Sequence, residues 1–265
     1  MKAKVNGILL HYTVEGESGP WVTLSHSLAS DLRMWDPQVA ALAARYRVLR
    51  FDTRGHGASE PGGTPSMADL AGDLAALHDH LGIARSHVVG LSLGGAIAQT
   101  YALAHPERVV GLVIADATSA YPPPTHAMWQ ERADQVAAGG MAAVAAGTLG
   151  RWFTPGWRER HPEVLARMEA MILATPPEGF VGAVAAIMGF DVSGRLSEIR
   201  APTFVVVGAE DQALPPTHSE RIAAGIPGAR LTVIEAAAHI ANVEQPERFT
   251  AALLDFLGEV DTQDR

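Results

Sequence analysis

Ser92 stands in the run Val88-Val89-Gly90-Leu91-Ser92-Leu93-Gly94-Gly95-Ala96, a hydroxyl crowded by three glycines directly after a short apolar stretch. Gly90–Gly94 match G-x-S-x-G, a pattern that gains meaning when a strand precedes it and a helix follows. A serine on so tight a turn has strained backbone geometry. Side chains beside it would strike the adjoining strand or helix, so its neighbours must be small. The turn also leaves the Leu93 N–H at a helix start, where an oxyanion would be stabilised. The plainer alternative is a glycine-rich turn with an incidental serine.

A serine nucleophile needs a base, and the base needs an acid to orient it. Of the eleven histidines, His239 is singled out because it follows the last strand pattern, in "EAAAHIANVEQPERF" before the final helix. Loops at the carboxyl ends of parallel strands gather at one edge of a sheet, where Ser92 also lies. The acid should follow an earlier strand. "FVVVGAEDQALP" offers Glu210 and Asp211, of which Asp211 is preferred, and Asp116 at the end of "LVIAD" is the weaker alternative. The order Ser92, Asp211, His239 is the one such hydrolases use. A second oxyanion donor should come from "SHSLASDLRMWD". Taking His26-Ser27-Leu28 as a His-Gly-X-like turn makes the Leu28 N–H that donor and gives His26 a bracing role. A simple solvated loop is the alternative.

The elements that must hold these residues are legible in the pattern. Asn6-Gly7 between two apolar runs reads as a type I′ hairpin. "WVTLSH", "YRVLRFD", "HVVGLS" and "VVGLVIAD" are short, β-branched and nearly continuously apolar, as strands covered on both faces should be. Helical patterns separate them: one with Pro37 at its first turn, one capped by Ser66 with Asp69 in a capping-box role and ending at Gly82, one ending before Pro106. Such alternation predicts an α/β fold with a mostly parallel sheet and right-handed crossovers. The rhythm breaks at 119–195, which is helical and rich in Ala and Met and contains Trp129, Trp152 and Trp157. Strand patterns return in "APTFVVVGAED" and "ARLTVIEAAAH". The expected organisation is a core of residues 1–118 and 196–265 with a helical cap (lid) inserted at 119–195.

Bulk properties narrow the chemistry. A net charge of −9 with no basic run argues against nucleic acid or an anionic membrane as a partner. The absence of cysteine removes thiolate metal sites and a cysteine nucleophile, and no metal site is expected. No segment approaches the ~20 apolar residues of a membrane span, and the N-terminal stretch lacks a signal-peptide core, so a cytoplasmic protein is expected.

With these features assembled, the chain resembles the α/β-hydrolase superfamily from end to end. "FDTRGHGAS" looks like that superfamily's D-x-R-G-x-G-x-S turn, which implies structural roles for Arg54 and His56. "SLASDLRMWDPQ", "RVLRFDTRGHGAS", "GLSLGGAIAQ", "AGGMAAV…RWFTP" and "HIANVEQPERF" look more narrowly like 3-oxoadipate enol-lactonases. That resemblance implies a cofactor-free enzyme of aromatic catabolism that hydrolyses a small carboxylate-bearing lactone through an acyl-enzyme. The sequence departs from that family at His26-Ser27-Leu28-Ala29-Ser30, where Asn-Ser-Leu-Gly-Thr is usual. It departs again at "ADATSAYPPP", where something closer to Cys-Asn-Thr-Ala is expected. A carboxylate on the substrate calls for an arginine. Arg132, one helical turn after Trp129, and Arg151, beside Trp152, are the candidates. Trp152 and Phe153 either wall the pocket or pin the cap to the core. Competing readings are a general carboxylesterase, an acyl-homoserine lactonase, a perhydrolase, or a small-molecule receptor without turnover.

Overall fold

The computed structural model describes residues 1–264. β1 (Lys2–Val5) and β2 (Ile8–Glu15) form an antiparallel hairpin whose turn holds Asn6 and Gly7 at φ 47° and 81°, the positive values of a type I′ turn. β3 (Trp21–Ser25), β4 (Arg47–Phe51), β5 (Ser86–Leu91), β6 (Val109–Ala115), β7 (Thr203–Gly208) and β8 (Arg230–Ile234) complete one eight-stranded sheet. Its order is β1-β2-β4-β3-β5-β6-β7-β8, parallel from β4 through β8. β5 and β7 are buried at every residue, which is why their sequences run apolar without alternation.

The layers on the sheet come from α1 (Asp36–Ala43), α2 (Met67–Leu81) and α3 (Leu93–Ala104), with further helices near the C-terminus. α2 begins with the expected capping box. The Asp69 N–H donates to Ser66 Oγ at 3.2 Å, and the Ser66 N–H donates to Asp69 Oδ2 at 2.8 Å. It ends at Gly82, φ 66°.

Between β6 and β7 lie α4 (Pro123–Gly139), α5 (Ala142–Trp152), α6 (Pro155–Arg160), α7 (Pro162–Ala174) and α8 (Pro177–Met188). Four of the five start on proline, whose fixed φ and missing N–H suit a first helical turn. The two ends of this segment are laced together: Val192 N–H donates to Ser119 C=O at 2.8 Å, and Tyr121 N–H to Phe190 C=O at 3.1 Å. α9 (Pro216–Gly225), the short α10 (Ala241–Glu244) and α11 (Pro246–Gln263) finish the chain. Thus a four-residue helix stands between His239 and the final helix, where the sequence pattern showed only a loop. Among the described residues no single helix is long and apolar enough to cross a membrane.

Candidate active site

Ser92 sits on the turn from β5 into α3 with φ 57° and ψ −113°, a conformation L-residues avoid. The glycines permit it. A Cβ on Gly90 would lie 2.0 Å from the Gly94 carbonyl oxygen, and one on Gly94 would lie 2.1 Å from the Ser25 carbonyl oxygen. Backbone is the obstacle in both cases, so no side-chain adjustment would make room. The Ser92 N–H donates to Ala115 C=O at 2.9 Å, tying the turn to the end of β6.

The loops after β7 and β8 bring Asp211 and His239 to the same edge. His239 Nε2 lies 2.9 Å from Ser92 Oγ, and Nδ1 lies 2.8 Å from Asp211 Oδ2. Asp211 Oδ1 accepts from the Ala213 and Leu214 N–H groups at 2.8 and 2.9 Å, which fixes the carboxylate in the plane that meets the imidazole. With Nδ1 donating to Asp211, Nε2 is left as the acceptor for the serine proton. The line can therefore take a proton from Ser92 and steady the imidazolium that results. All three side chains are buried, so water screens none of these contacts.

The other two acid candidates are placed differently. Glu210 is exposed. Asp116 is fully buried beside Asp211, but its Oδ1 accepts from the Gly208 N–H at 2.8 Å and its Oδ2 has no partner. Burial, with the charges of Asp211 and Glu244 close by, pushes the Asp116 carboxyl well above the usual carboxylate range.

Leu28 and Ser27 border the space above Ser92. No backbone carbonyl accepts from the Leu28 or Leu93 N–H among the described residues. His26 does brace its loop. Its Nε2 accepts from the Thr53 N–H at 2.9 Å, and Nδ1 donates to Ser27 C=O at 2.7 Å, linking the loops that follow β3 and β4. Arg54 forms a two-pronged pair with Asp73 of α2 at 2.6 Å for each bond, and His56 is fully buried.

A cavity of about 110 Å³ covers Ser92 and His239. Trp129, Arg132, Arg151 and Trp152 all line it, joined by Tyr121 and Thr148, which the sequence reading missed because neither belongs to a recognisable pattern. Phe153 instead stacks on Trp157, ring centroids 4.4 Å apart, and so belongs to the packing. Arg132 lies over the Trp129 ring at 4.9 Å and donates to Thr148 Oγ1 at 3.2 Å, while its buried Nε has no partner. Burial, then the neighbouring charge of Arg151, lowers the Arg132 guanidinium to about 10. Burial lowers Arg151 as well, and among the described residues no carboxylate counters either charge. A larger cleft of about 430 Å³ lies between α7 and the start of α1 and does not include Ser92. No cluster of His, Asp or Glu side chains suited to a metal ion occurs among the described residues.

Known proteins share this fold over most of the chain. A family model described as the alpha/beta hydrolase fold matches residues 20–246. 3-Oxoadipate enol-lactonase 2 of Acinetobacter baylyi is 35% identical over 93% of this chain and 92% of its own. RutD of Azorhizobium caulinodans, a provisional carbamate hydrolase, is 31% identical over 95% of this chain and 96% of its own. The crystal structure of the enol-lactonase from Burkholderia xenovorans LB400 superposes with a TM-score of 0.94 at 39% identity, covering 97% of this chain and 100% of that one.

Proposed function

The chain belongs to the α/β-hydrolase family, and from that premise we propose that it is a serine hydrolase acting on a small lactone that carries a carboxylate, of the 3-oxoadipate enol-lactone kind. The observation that carries this reading is the unbroken Ser92–His239–Asp211 line beneath a small cavity that holds two uncountered guanidiniums. In this reading residues 119–195 act as the cap, the core supplies the chemistry and the work is done in the cytoplasm without a cofactor.

The reaction runs in two halves. His239 Nε2 takes the Ser92 proton as Oγ attacks the lactone carbonyl carbon. The carbonyl oxygen becomes an oxyanion between the Leu28 and Leu93 N–H groups, and Asp211 stabilises the imidazolium. The C–O bond to the ring oxygen then breaks, and His239 returns the proton to that oxygen. The former ring stays attached as an acyl-enzyme. Water, deprotonated by His239, attacks the acyl carbon and releases Ser92 and the free acid. Arg132 and Arg151 hold the substrate carboxylate throughout, which aligns the ring over Oγ and offsets the cost of leaving two charges in a closed space. The modest cavity volume favours a small acid over a long acyl chain.

The test is a side-by-side measurement of kcat/KM on the enol-lactone of 3-oxoadipate, an N-acyl homoserine lactone, a short p-nitrophenyl ester and a simple carbamate. The enol-lactone should be the best substrate, and Ser92→Ala and His239→Ala should each abolish its hydrolysis while far-UV circular dichroism stays unchanged. Negligible enol-lactone turnover removes the substrate; residual hydrolysis by Ser92→Ala removes the nucleophile. Fluorophosphonate labelling of Ser92 without turnover of any ester, lactone or carbamate would point instead to a receptor.

A further inference from the structure

Glu244 is a buried carboxylate five residues after His239 that the mechanism above leaves unused. Its Oε2 accepts from the Ala238 N–H at 2.8 Å. Its Oε1 accepts from the Thr154 N–H at 3.0 Å and from the Thr154 hydroxyl. On the other side of the histidine, the Ile240 N–H donates to the Trp152 carbonyl at 3.1 Å. Both peptide neighbours of His239 are therefore bonded, directly or through Glu244, to the segment Trp152–Thr154, which ends α5 and carries part of the cavity wall. Thr154 precedes Pro155 at the start of α6, where a threonine hydroxyl ordinarily caps its own helix. Here it makes no such cap and turns to Glu244 instead.

We propose that Glu244 is a positioning residue that clamps the His239 loop to the Trp152–Thr154 wall of the cavity, so that the aim of His239 at Ser92 depends on where that wall sits. The inference rests on the serine-hydrolase reading for its kinetic consequence but not for its geometry. The chemistry of the clamp requires a carboxylate. Both oxygens face N–H donors, so an amide of the same shape must set its own NH2 against one of them. A loop released on one side lets the imidazole drift relative to Oγ, and misplacement near 1 Å is expensive at a reacting centre. The cavity walls at Tyr121, Trp129 and Leu214 lie outside the clamp, so turnover should suffer more than binding.

The experiment compares Glu244→Gln, Thr154→Val and Thr154→Ser with the parent protein. Rates on a neutral p-nitrophenyl ester are normalised to serines titrated by a fluorophosphonate. Glu244→Gln should lower kcat roughly 10- to 100-fold with KM little changed. Thr154→Val should lower it by about threefold, and Thr154→Ser should restore the parent rate. Independently of turnover, the low-field proton resonance of His239 Nδ1–H should shift or broaden in Glu244→Gln and Thr154→Val and return in Thr154→Ser. Should Glu244→Gln fail to fold, the Thr154 pair decides alone. A kcat within twofold of the parent in Glu244→Gln, or in Thr154→Val where that pair decides, or a rate loss with an unmoved resonance, overturns the clamp. If the parent hydrolyses nothing, the hydrolase reading falls while the resonance still decides the clamp.

Discussion

Asp116 and Asp211 follow adjacent parallel strands, yet of the two only Asp211 turns its carboxylate to His239, with Oδ2 2.8 Å from Nδ1. Asp116 gives its Oδ1 to the Gly208 N–H at 2.8 Å and lies buried beside its neighbour with its pKa pushed up. By geometry Asp211, and not Asp116, is placed to orient His239.

Asparagine at each position separates these roles. Asp211→Asn should lower kcat on the order of 10⁴-fold, because the imidazole loses the partner that sets its tautomer. Asp116→Asn should keep kcat within about threefold, since Asp116 bonds the Gly208 N–H rather than His239 and its burial already disfavours the charged form. A larger loss in Asp116→Asn, measured by steady-state kinetics on the same ester, would reverse the assignment.

Arg132→Ala should raise KM for the carboxylate-bearing lactone relative to a neutral ester. A charge-assisted contact of about 2–3 kcal/mol corresponds to roughly 30- to 140-fold. Arg132→Lys keeps the charge but loses the planar fork and should fall between the two. Equal KM changes on charged and neutral substrates would remove Arg132 from carboxylate recognition.

Gly94→Ala should destabilise the fold by about 3 kcal/mol or more, because its Cβ would meet the Ser25 carbonyl oxygen at 2.1 Å. Gly150, inside α5 with open space at its Cβ and no positive φ, supplies the opposite case. Gly150→Ala should stabilise by about 0.5–1 kcal/mol through helix propensity. Thermal melts of the two variants read both signs.

Acid should unfold the protein partly through two buried imidazoles. Burial lowers both His56 and His78 to about 3 from an ordinary 6.5. His78 is lodged between Thr23 Oγ1 at 2.9 Å and the Tyr101 hydroxyl at 3.0 Å. The unfolded chain binds these protons first, so stability is present above pH 6.5 and is lost as pH falls from there toward 3. Near pH 5 each site costs about 2 kcal/mol. Urea titrations at pH 7 and pH 5 on the parent and on His78→Gln should show a shallower pH dependence in the variant.

Local chemistry made most of this molecule legible in advance. The turn at Asn6-Gly7, the cap at Ser66 and the apolar strands each follow from the conformational limits of their own residues. That Ser92, Asp211 and His239 would meet was legible for a second reason: parallel strands deliver their following loops to one edge, so chain order narrows the choices. Less was visible where distance in sequence is large. Nothing local marks Glu244 as a bridge to Thr154, 90 residues away. Tyr121 and Thr148 enter the cavity only because the five helices after β6 fold back over the sheet.

By itself the sequence pointed to a strained turn at Ser92, since glycines at 90 and 94 leave room for one, and the backbone angles of Ser92 show it. It also narrowed the acid to three carboxylates and offered two arginines as candidates for a carboxylate contact. The choice among them belonged to the tertiary structure. The linear pattern prefers Asp211 to Asp116 without excluding it, and the donors around each in space separate the two. Arg132 and Arg151 are proposed as a recognition pair because folding sets both, half-buried, on one cavity with no carboxylate paired to either among the described residues. Propensity and turn chemistry act over a few residues, whereas burial and charge pairing are properties of the closed fold.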